Sequence, residues 1–439
     1  MSGRATIGFV ADDLTGAADV LAQAYAEGLD AALVLDAAHP LPDDVDVVGI
    51  AGPLRSLDAT ALHAEATRGF AALAERELRV VLDKVCSTFD SSPTIGSIGA
   101  SIDAMRATWP GRGAVPVVPA QPEFGRHTAF SQHFGRHAGA VHRLDRHPVM
   151  ATHPSTPMRE ADLRLVLQEQ LPGSPVVPGL HLPELESAER LRDAWATLAA
   201  SDAPAVVVDA VTPAHMDAIA QRLLDDADRG PAPALVVGSG GIMAALARAL
   251  HRETRVAPAT TAPSGPVLVV SASASSTTAA QLDDALAAGF VEVAIPAEAF
   301  GDAASEANAD WSRAVEAALS AGRHVVAHTA RGGDDARLRA STASAADVGG
   351  LIGRLAGRMV RAGRTRDLAI CGGDTSSHAL VALGAREVRV DELFVLVGPI
   401  CRTDDASDAA GCRVLLKGGQ VGPTDVLRRF AGLTPGEHA

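Results

Sequence analysis

Two adjacent carboxylates, Asp12 and Asp13, end an apolar run and are followed by Leu14-Thr15-Gly16-Ala17. That order reads as strand, loop and helix. Ligands of open α/β sheets sit just outside the carboxyl ends of strands, so acids placed there suit a substrate hydroxyl or a metal. One of them can cap the helix that follows. A second beside it is left for chemistry. The run Asp83-Lys84-Val85-Cys86-Ser87-Thr88-Phe89-Asp90-Ser91 closes another strand and offers Lys84, the hydroxyls of Ser87 and Thr88, and Asp90. Arg55 follows the apolar run Val47–Ala51. Together these groups would surround a small polyhydroxy acid, with cations for its carboxylate and acids for its hydroxyls. Taken singly, Lys84 is also consistent with a surface ion pair, and for Arg55 alone that reading outweighs function.

The C-terminal half carries residues suited to phosphate. Leu368–Cys371 runs into Gly372-Gly373-Asp374-Thr375 and then a helical pattern. Glycines let the backbone approach a ligand, and amides at a helix start attract anions. A strand ending at Lys417 leads into Gly418-Gly419, where the lysine can neutralise a phosphate. Val269-Val270-Ser271-Ala272-Ser273 is another strand end, rich in hydroxyls. Each alone could be a tight turn or a solvated loop. Three in one half favour a shared nucleotide pocket.

Positioning these groups requires strands and helices in alternation. Short β-branched runs recur at Leu33–Leu35, Val47–Ala51, Val80–Asp83, Val115–Val118, Val206–Asp209, Leu235–Val237, Val267–Val270, Val325–Ala327 and Leu368–Cys371. Ala- and Leu-rich helical stretches lie between them. This predicts an α/β fold of two domains, each with a largely parallel sheet flanked by helices. The proline-containing stretch 255–266 reads as a linker, with one domain over 1–254 and another over 267–439. Residues 119–157 are rich in His, Arg, Gly and Pro, and read as a functional loop or excursion.

Composition narrows the function. The chain has 439 residues, is 47% hydrophobic and carries a net charge of -15. That charge lacks the basic stripe of a nucleic-acid surface. Aromatics at 3% disfavour a base-stacking platform. No apolar stretch is long enough for a membrane span. Acids at positions 12, 13 and 19 interrupt any secretory leader, and the four cysteines lack C-x-x-C spacing. A cytoplasmic location is therefore expected. Size and Ala-rich helices are compatible with a homodimer.

Two other chemistries fit the sequence less well. Gly238-Ser239-Gly240-Gly241-Ile242-Met243 begins like a dinucleotide fingerprint, but Met243 replaces the third glycine. His133 and His137 have helical i, i+4 spacing, yet no matching acid or cysteine accompanies them, so no metal site is expected.

Taken in order, Ala11-Asp12-Asp13-Leu14-Thr15-Gly16-Ala17, Lys84-Val85-Cys86-Ser87-Thr88-Phe89-Asp90-Ser91, His153-Pro154-Ser155-Thr156-Pro157-Met158, Gly372-Gly373-Asp374-Thr375 and Lys417-Gly418-Gly419 resemble the four-carbon acid sugar kinases. The resemblance spans nearly the whole chain. It implies an N-terminal acid-sugar domain, a C-terminal ATP-binding domain and an active site in the cleft between them. It implies phosphorylation of the 4-hydroxyl of threonate, erythronate or a 3-oxo-tetronate. By position, Ser271 or Ser273, Gly372 to Thr375 and Gly418 look like nucleotide contacts. The chain departs from the family pattern at Ala272 and Ala274, where Gly and Cys are expected.

The chemistry of phosphoryl transfer then assigns roles. Asp12 or Asp13 would take the hydroxyl proton. The Gly372–Thr375 amides and Lys417 would hold the phosphates, with Mg²⁺ bridging the β and γ groups. Arg55 and Lys84 would grip the substrate carboxylate. The rival readings are a non-catalytic acid-sugar and nucleotide sensor and an NAD-dependent dehydrogenase.

Overall fold

The structure is a computed structural model and describes residues 6–153, 155–251, 261–300, 309–395 and 398–433. Residues 255–260 of the expected linker lie outside this set, as do Pro154 and the side chain of Asp374. In chain order the strands are β1 (Ile7–Ala11), β2 (Ala31–Val34), β3 (Val47–Ala51), β4 (Val80–Lys84), β5 (Val115–Val118), β6 (Arg126–Ala129), β7 (Gln132–His137), β8 (Ala140–Arg143), β9 (Gly179–Leu180), β10 (Ala205–Val208) and β11 (Ala234–Gly238). They continue with β12 (Val267–Ser271), β13 (Val291–Ala294), β14 (Val325–His328), β15 (Asp367–Cys371), β16 (Glu387–Val395), β17 (Gly398–Thr403) and β18 (Arg413–Lys417). The chain divides into two compact units, Met1–Ala31 with Pro40–Arg255, and Ala32–His39 with Val256–Ala439.

The first unit is built on a parallel sheet in the order β3-β1-β4-β11-β5-β10-β9. Its central strands are buried along their whole length, which explains their unbroken apolar runs. The register sets Ala11 beside Ala51 on one side and Lys84 on the other, with Gly238 beside Lys84. Strand ends that carry the candidate residues are therefore level. The helix Leu14–Ala26 buries Leu14, Ala17, Ala18, Leu21 and Tyr25 together with most of its other residues, so it packs as a core helix.

Within the expected excursion, residues 126–143 form a three-stranded antiparallel sheet in the order β6-β7-β8. His133 and His137 thus lie on a strand, not on a helix.

The second unit has a parallel sheet β13-β14-β12-β15-β18, extended by antiparallel β17, β16 and β2. Ser271, Cys371 and Lys417 stand side by side in its register. Ala32–His39 joins this unit because β2 pairs with β16. The helix Ala345–Arg361 lies against the helix Asp374–Leu383 through Gly349, Gly353 and Gly357. A Cβ at Gly349 would stand 2.5 Å from the Thr375 carbonyl, so the close approach that seats the Gly372–Thr375 turn needs glycine. Among the described residues, no helix is long and apolar enough to cross a membrane.

Candidate active site

In the first unit the chain runs from β3 to β4 on opposite sides of β1, so β1 is the topological switch point. That is where an open α/β sheet leaves a crevice for ligand. Asp12 and Asp13 occupy it and have different surroundings. Asp13 caps the helix Leu14–Ala26, accepting from the Gly16 amide at 2.5 Å, and its other oxygen lies 3.0 Å from Arg55 Nη1. Asp12 accepts from Arg55 Nε and Nη2, each at 3.0 Å. Its side chain is 14% exposed, against 3% for Asp13. Burial raises the Asp12 carboxyl to about 6, opposed by Arg55 and reinforced by Asp13.

Arg55 also lies 3.8 Å from Asp90 Oδ2. The structure therefore commits Arg55 to three carboxylates; it is not held open for a substrate carboxylate. Lys84 is 2% exposed and donates to the Val85 carbonyl at 2.9 Å. Its field acts on Asp12, Asp19 and Asp83. Its position suits neutralising buried acids better than gripping a ligand from solvent. Ser87 and Thr88 are partly exposed on the following loop. Thr88 Oγ1 lies 2.9 Å from Cys86 Sγ. Phe89 turns the loop at φ 57 with a fully buried side chain. A bulky residue adopts that backbone only where its surroundings enforce it, and such outliers concentrate at functional sites.

His133 anchors a loop of the site and does not act as a metal ligand in this arrangement. Its Nε2 bonds the Ser87 carbonyl at 2.8 Å and its Nδ1 pairs with Thr128 Oγ1 at 2.9 Å. Nε2 must carry the proton, so the hydroxyl donates to Nδ1. Burial lowers its pKa to about 4, and the ring stays neutral. It holds the Ser87 loop against β7. The only sequence signal was its place in the excursion.

The dinucleotide-like run has a structural role. Ser239 caps the helix Gly240–Leu250, and the buried Asp19 carboxylate accepts from the Gly240 amide. Gln23 and Gln121 also donate to Asp19. A helix start that could attract a phosphate is filled by the protein's own acid.

In the second unit β12 is the switch point, flanked by β14 and β15. Ser271 and Ser273 are buried at its end. Gly419 comes so close that a Cβ there would lie 2.8 Å from Ser273 Oγ. Gly372 donates its amide to the Lys417 carbonyl at 3.1 Å. The structure thus brings Ser271, Ser273, the Gly372-Gly373 turn, Lys417 and Gly419 to one edge of the sheet, with Gly418 and Thr375 adjoining. Gly373 caps the helix Asp374–Leu383 without a side-chain bond, and beyond its Cα is open space. An anion can approach the helix start there.

Lys417 is 2% exposed, however. Its Nζ donates to the Gly418 carbonyl at 2.9 Å and to Thr278 Oγ1 at 3.2 Å. Burial lowers its pKa. Thr278 in turn donates to the Gly419 carbonyl at 2.7 Å, and Gln281 Nε2 bonds the carbonyls of Val421, Gly422 and Pro423. Neither Thr278 nor Gln281 was singled out from sequence, although both lie on one face of the helix that follows Ser275. Among the described residues, no cluster of three or more His, Cys, Asp or Glu could hold a metal.

One unit thus carries an acid-lined sheet edge and the other a glycine- and serine-lined one, a combination that suits a two-domain enzyme acting on small molecules. Two family models match, a sugar-binding N-terminal domain over residues 7–246 and a nucleotide-binding C-terminal domain over residues 268–427. The chain belongs to the four-carbon acid sugar kinase family. It is 31% identical to a 3-oxo-isoapionate kinase of Paraburkholderia graminis, over 95% of this chain and 92% of the relative. It is 32% identical to a D-threonate kinase of Bordetella bronchiseptica, over 98% and 97%. A Haemophilus influenzae crystal structure of a domain of unknown function superposes with a TM-score of 0.74 at 22% identity, covering 97% of this chain and 99% of the other. That likeness speaks for the fold.

Proposed function

We propose that the protein is an ATP-dependent sugar-acid kinase that phosphorylates the 4-hydroxyl of a four-carbon acid such as threonate, erythronate or a 3-oxo-tetronate. The observation that carries this reading is the match to both a sugar-binding and a nucleotide-binding model, each over a unit with a ligand-ready switch point. Full-length relatives named as kinases support it. Their names cover different acids, so the acid is a matter for assay.

Asp12 is the proposed base. It is the more exposed of the pair, and a carboxyl raised to about 6 is nearer the working pH of a general base than an ordinary one. Asp13 fixes the helix start and shares Arg55. Ser271, Ser273, Gly372, Gly373, Asp374, Thr375, Gly418 and Gly419 form the proposed phosphate cradle. Lys417 sets the shape of that cradle and, on binding, adds charge to it. Mg²⁺ carried by ATP would supply neutralisation of the phosphate charge. Arg55 and Lys84 set the potential around Asp12, and Ser87 and Thr88 offer hydroxyls to the acid. We place the linker at 255–266 and the protein in the cytoplasm. A homodimer is the proposed assembly, which light scattering tests.

ADP release from Mg-ATP with D- and L-threonate, erythronate, 3-oxo-tetronates and 3-oxo-isoapionate, coupled to product mass, tests the reading. One acid giving a phosphorylated product is expected. ATP binding without ADP formation from any acid would point to another acceptor, and acid binding without turnover to the sensor.

A further inference from the structure

An acid substrate needs a cation for its carboxylate, and the two cations first expected for that work are engaged elsewhere. Arg55 spends Nε and Nη2 on Asp12 and Nη1 on Asp13. Lys84 is buried and bonded to the Val85 carbonyl. Arg126, on β6, is differently placed. Among the described residues its Nη1 donates to backbone carbonyls, of Arg136 at 3.0 Å and of Phe124 at 3.5 Å. Its Nε is buried with no partner, and among the described residues it joins no ion pair. It lies within electrostatic reach of Cys86 and Asp90, and of His133, which holds the Ser87 carbonyl. Its guanidinium thus lies against β7, within reach of the loop that carries Cys86 and Asp90.

Asp90 supplies the second observation. It is 9% exposed, and its Oδ1 is buried without a hydrogen-bond partner, while Oδ2 faces Arg55. A carboxylate oxygen without a donor is costly unless a ligand supplies one. Threonate, erythronate and 3-oxo-tetronates all carry a hydroxyl on the carbon next to the carboxylate. We propose that Arg126 binds the substrate carboxylate and that Asp90 Oδ1 accepts the hydrogen bond of the adjacent hydroxyl. The pair reads the 2-hydroxy-acid end and leaves the far hydroxyl for Asp12. This rests on the sugar-acid reading of the first unit.

The test is calorimetric titration of the full chain with the acid panel in the absence of ATP, followed by steady-state assays, for the wild type and for Arg126→Met, Arg126→Lys and Asp90→Asn. Loss of a charge-assisted pair should weaken acid binding about 100-fold in Arg126→Met. The KM for ATP and the thermal midpoint should stay near wild type. Arg126→Lys should recover part of the acid affinity, which a merely structural role would not allow. Asp90→Asn should weaken hydroxy acids more than the matching 2-deoxy acids. Acid affinity within threefold of wild type in folded Arg126→Met would overturn the proposal. So would a loss that tracks unfolding and is not relieved by lysine. Wild type that binds acid without turnover would sink the kinase reading while leaving the Arg126 comparison decisive. Wild type that binds no acid would overturn both.

Discussion

Arg55 and Asp12 meet in a two-pronged pair, Nε to Oδ2 and Nη2 to Oδ1, each at 3.0 Å. The fork fixes the plane of the Asp12 carboxylate. It also opposes the burial that raises its pKa. A base held in this way is oriented without being fully neutralised.

The two neighbouring acids should separate by experiment. Asp12→Asn is expected to lower kcat by about two to four orders of magnitude with a near-normal KM for ATP. Asp13→Ala is expected to cost about 1 kcal/mol of stability through the lost helix cap, more if Arg55 is left unbalanced. Steady-state rates and urea melts of both variants check this. Unchanged kcat in both Asp12→Asn and Asp13→Asn would remove the acids from the chemistry.

The pH dependence follows from Asp12. A base near 6 is protonated below that value, so kcat/KM should rise with pH through about 6 and then level. The limb should vanish in Asp12→Asn. A profile flat from pH 5 to 8 would argue against Asp12.

Asp83 gives a stability prediction of defined sign. Burial raises its carboxyl to about 7. A folded pKa above the unfolded one means stability that is complete below the ordinary carboxylate range and lost as pH rises through about 7. Asp83→Asn escapes that loss. Its stability relative to wild type should therefore improve between pH 4 and pH 8, by up to roughly 4 kcal/mol. Denaturant melts at the two pH values measure it, and an unchanged difference would refute it.

His133→Ala should release the Ser87 loop and leave Thr128 without its partner. A rise in the KM for acid of about tenfold and a stability loss of about 1–3 kcal/mol are expected. Because the ring is neutral above about 4, the wild-type contribution should be constant from pH 6 to 9. Kinetics across that range test both parts.

Gly419→Ala would press a methyl group against Ser273 Oγ and Ser275 Cβ. The KM for ATP should rise about tenfold while calorimetric acid affinity stays unchanged. Equal effects on both ligands would place Gly419 outside the nucleotide site.

Much of the frame was legible because parallel strands buried on both faces leave unbroken apolar runs; Val47–Ala51 and Val115–Val118 match the observed strands end to end. The strand-end residues were legible for the same reason, since a polar group directly after such a run must sit at the sheet edge. What pairing and packing decide was not. Nothing local marks β2 as the partner of β16, some 350 residues on. The Gly349, Gly353 and Gly357 spacing is visible in the sequence, but its meaning depends on which helix comes to lie against it. The commitment of Arg55 to three acids was likewise hidden, because Asp12 and Asp90 are brought to it by separate strands.

The buried Asp19 has a consequence for cofactor choice. A dinucleotide's pyrophosphate seeking the Gly238-Ser239-Gly240 turn would have to evict a carboxylate that is already tethered there, held also by Gln23 and Gln121. The tether acts as a resident competitor at very high local concentration. The first unit thus fills with its own side chain the helix start that a dinucleotide would use, an obstacle that adds to the missing glycine.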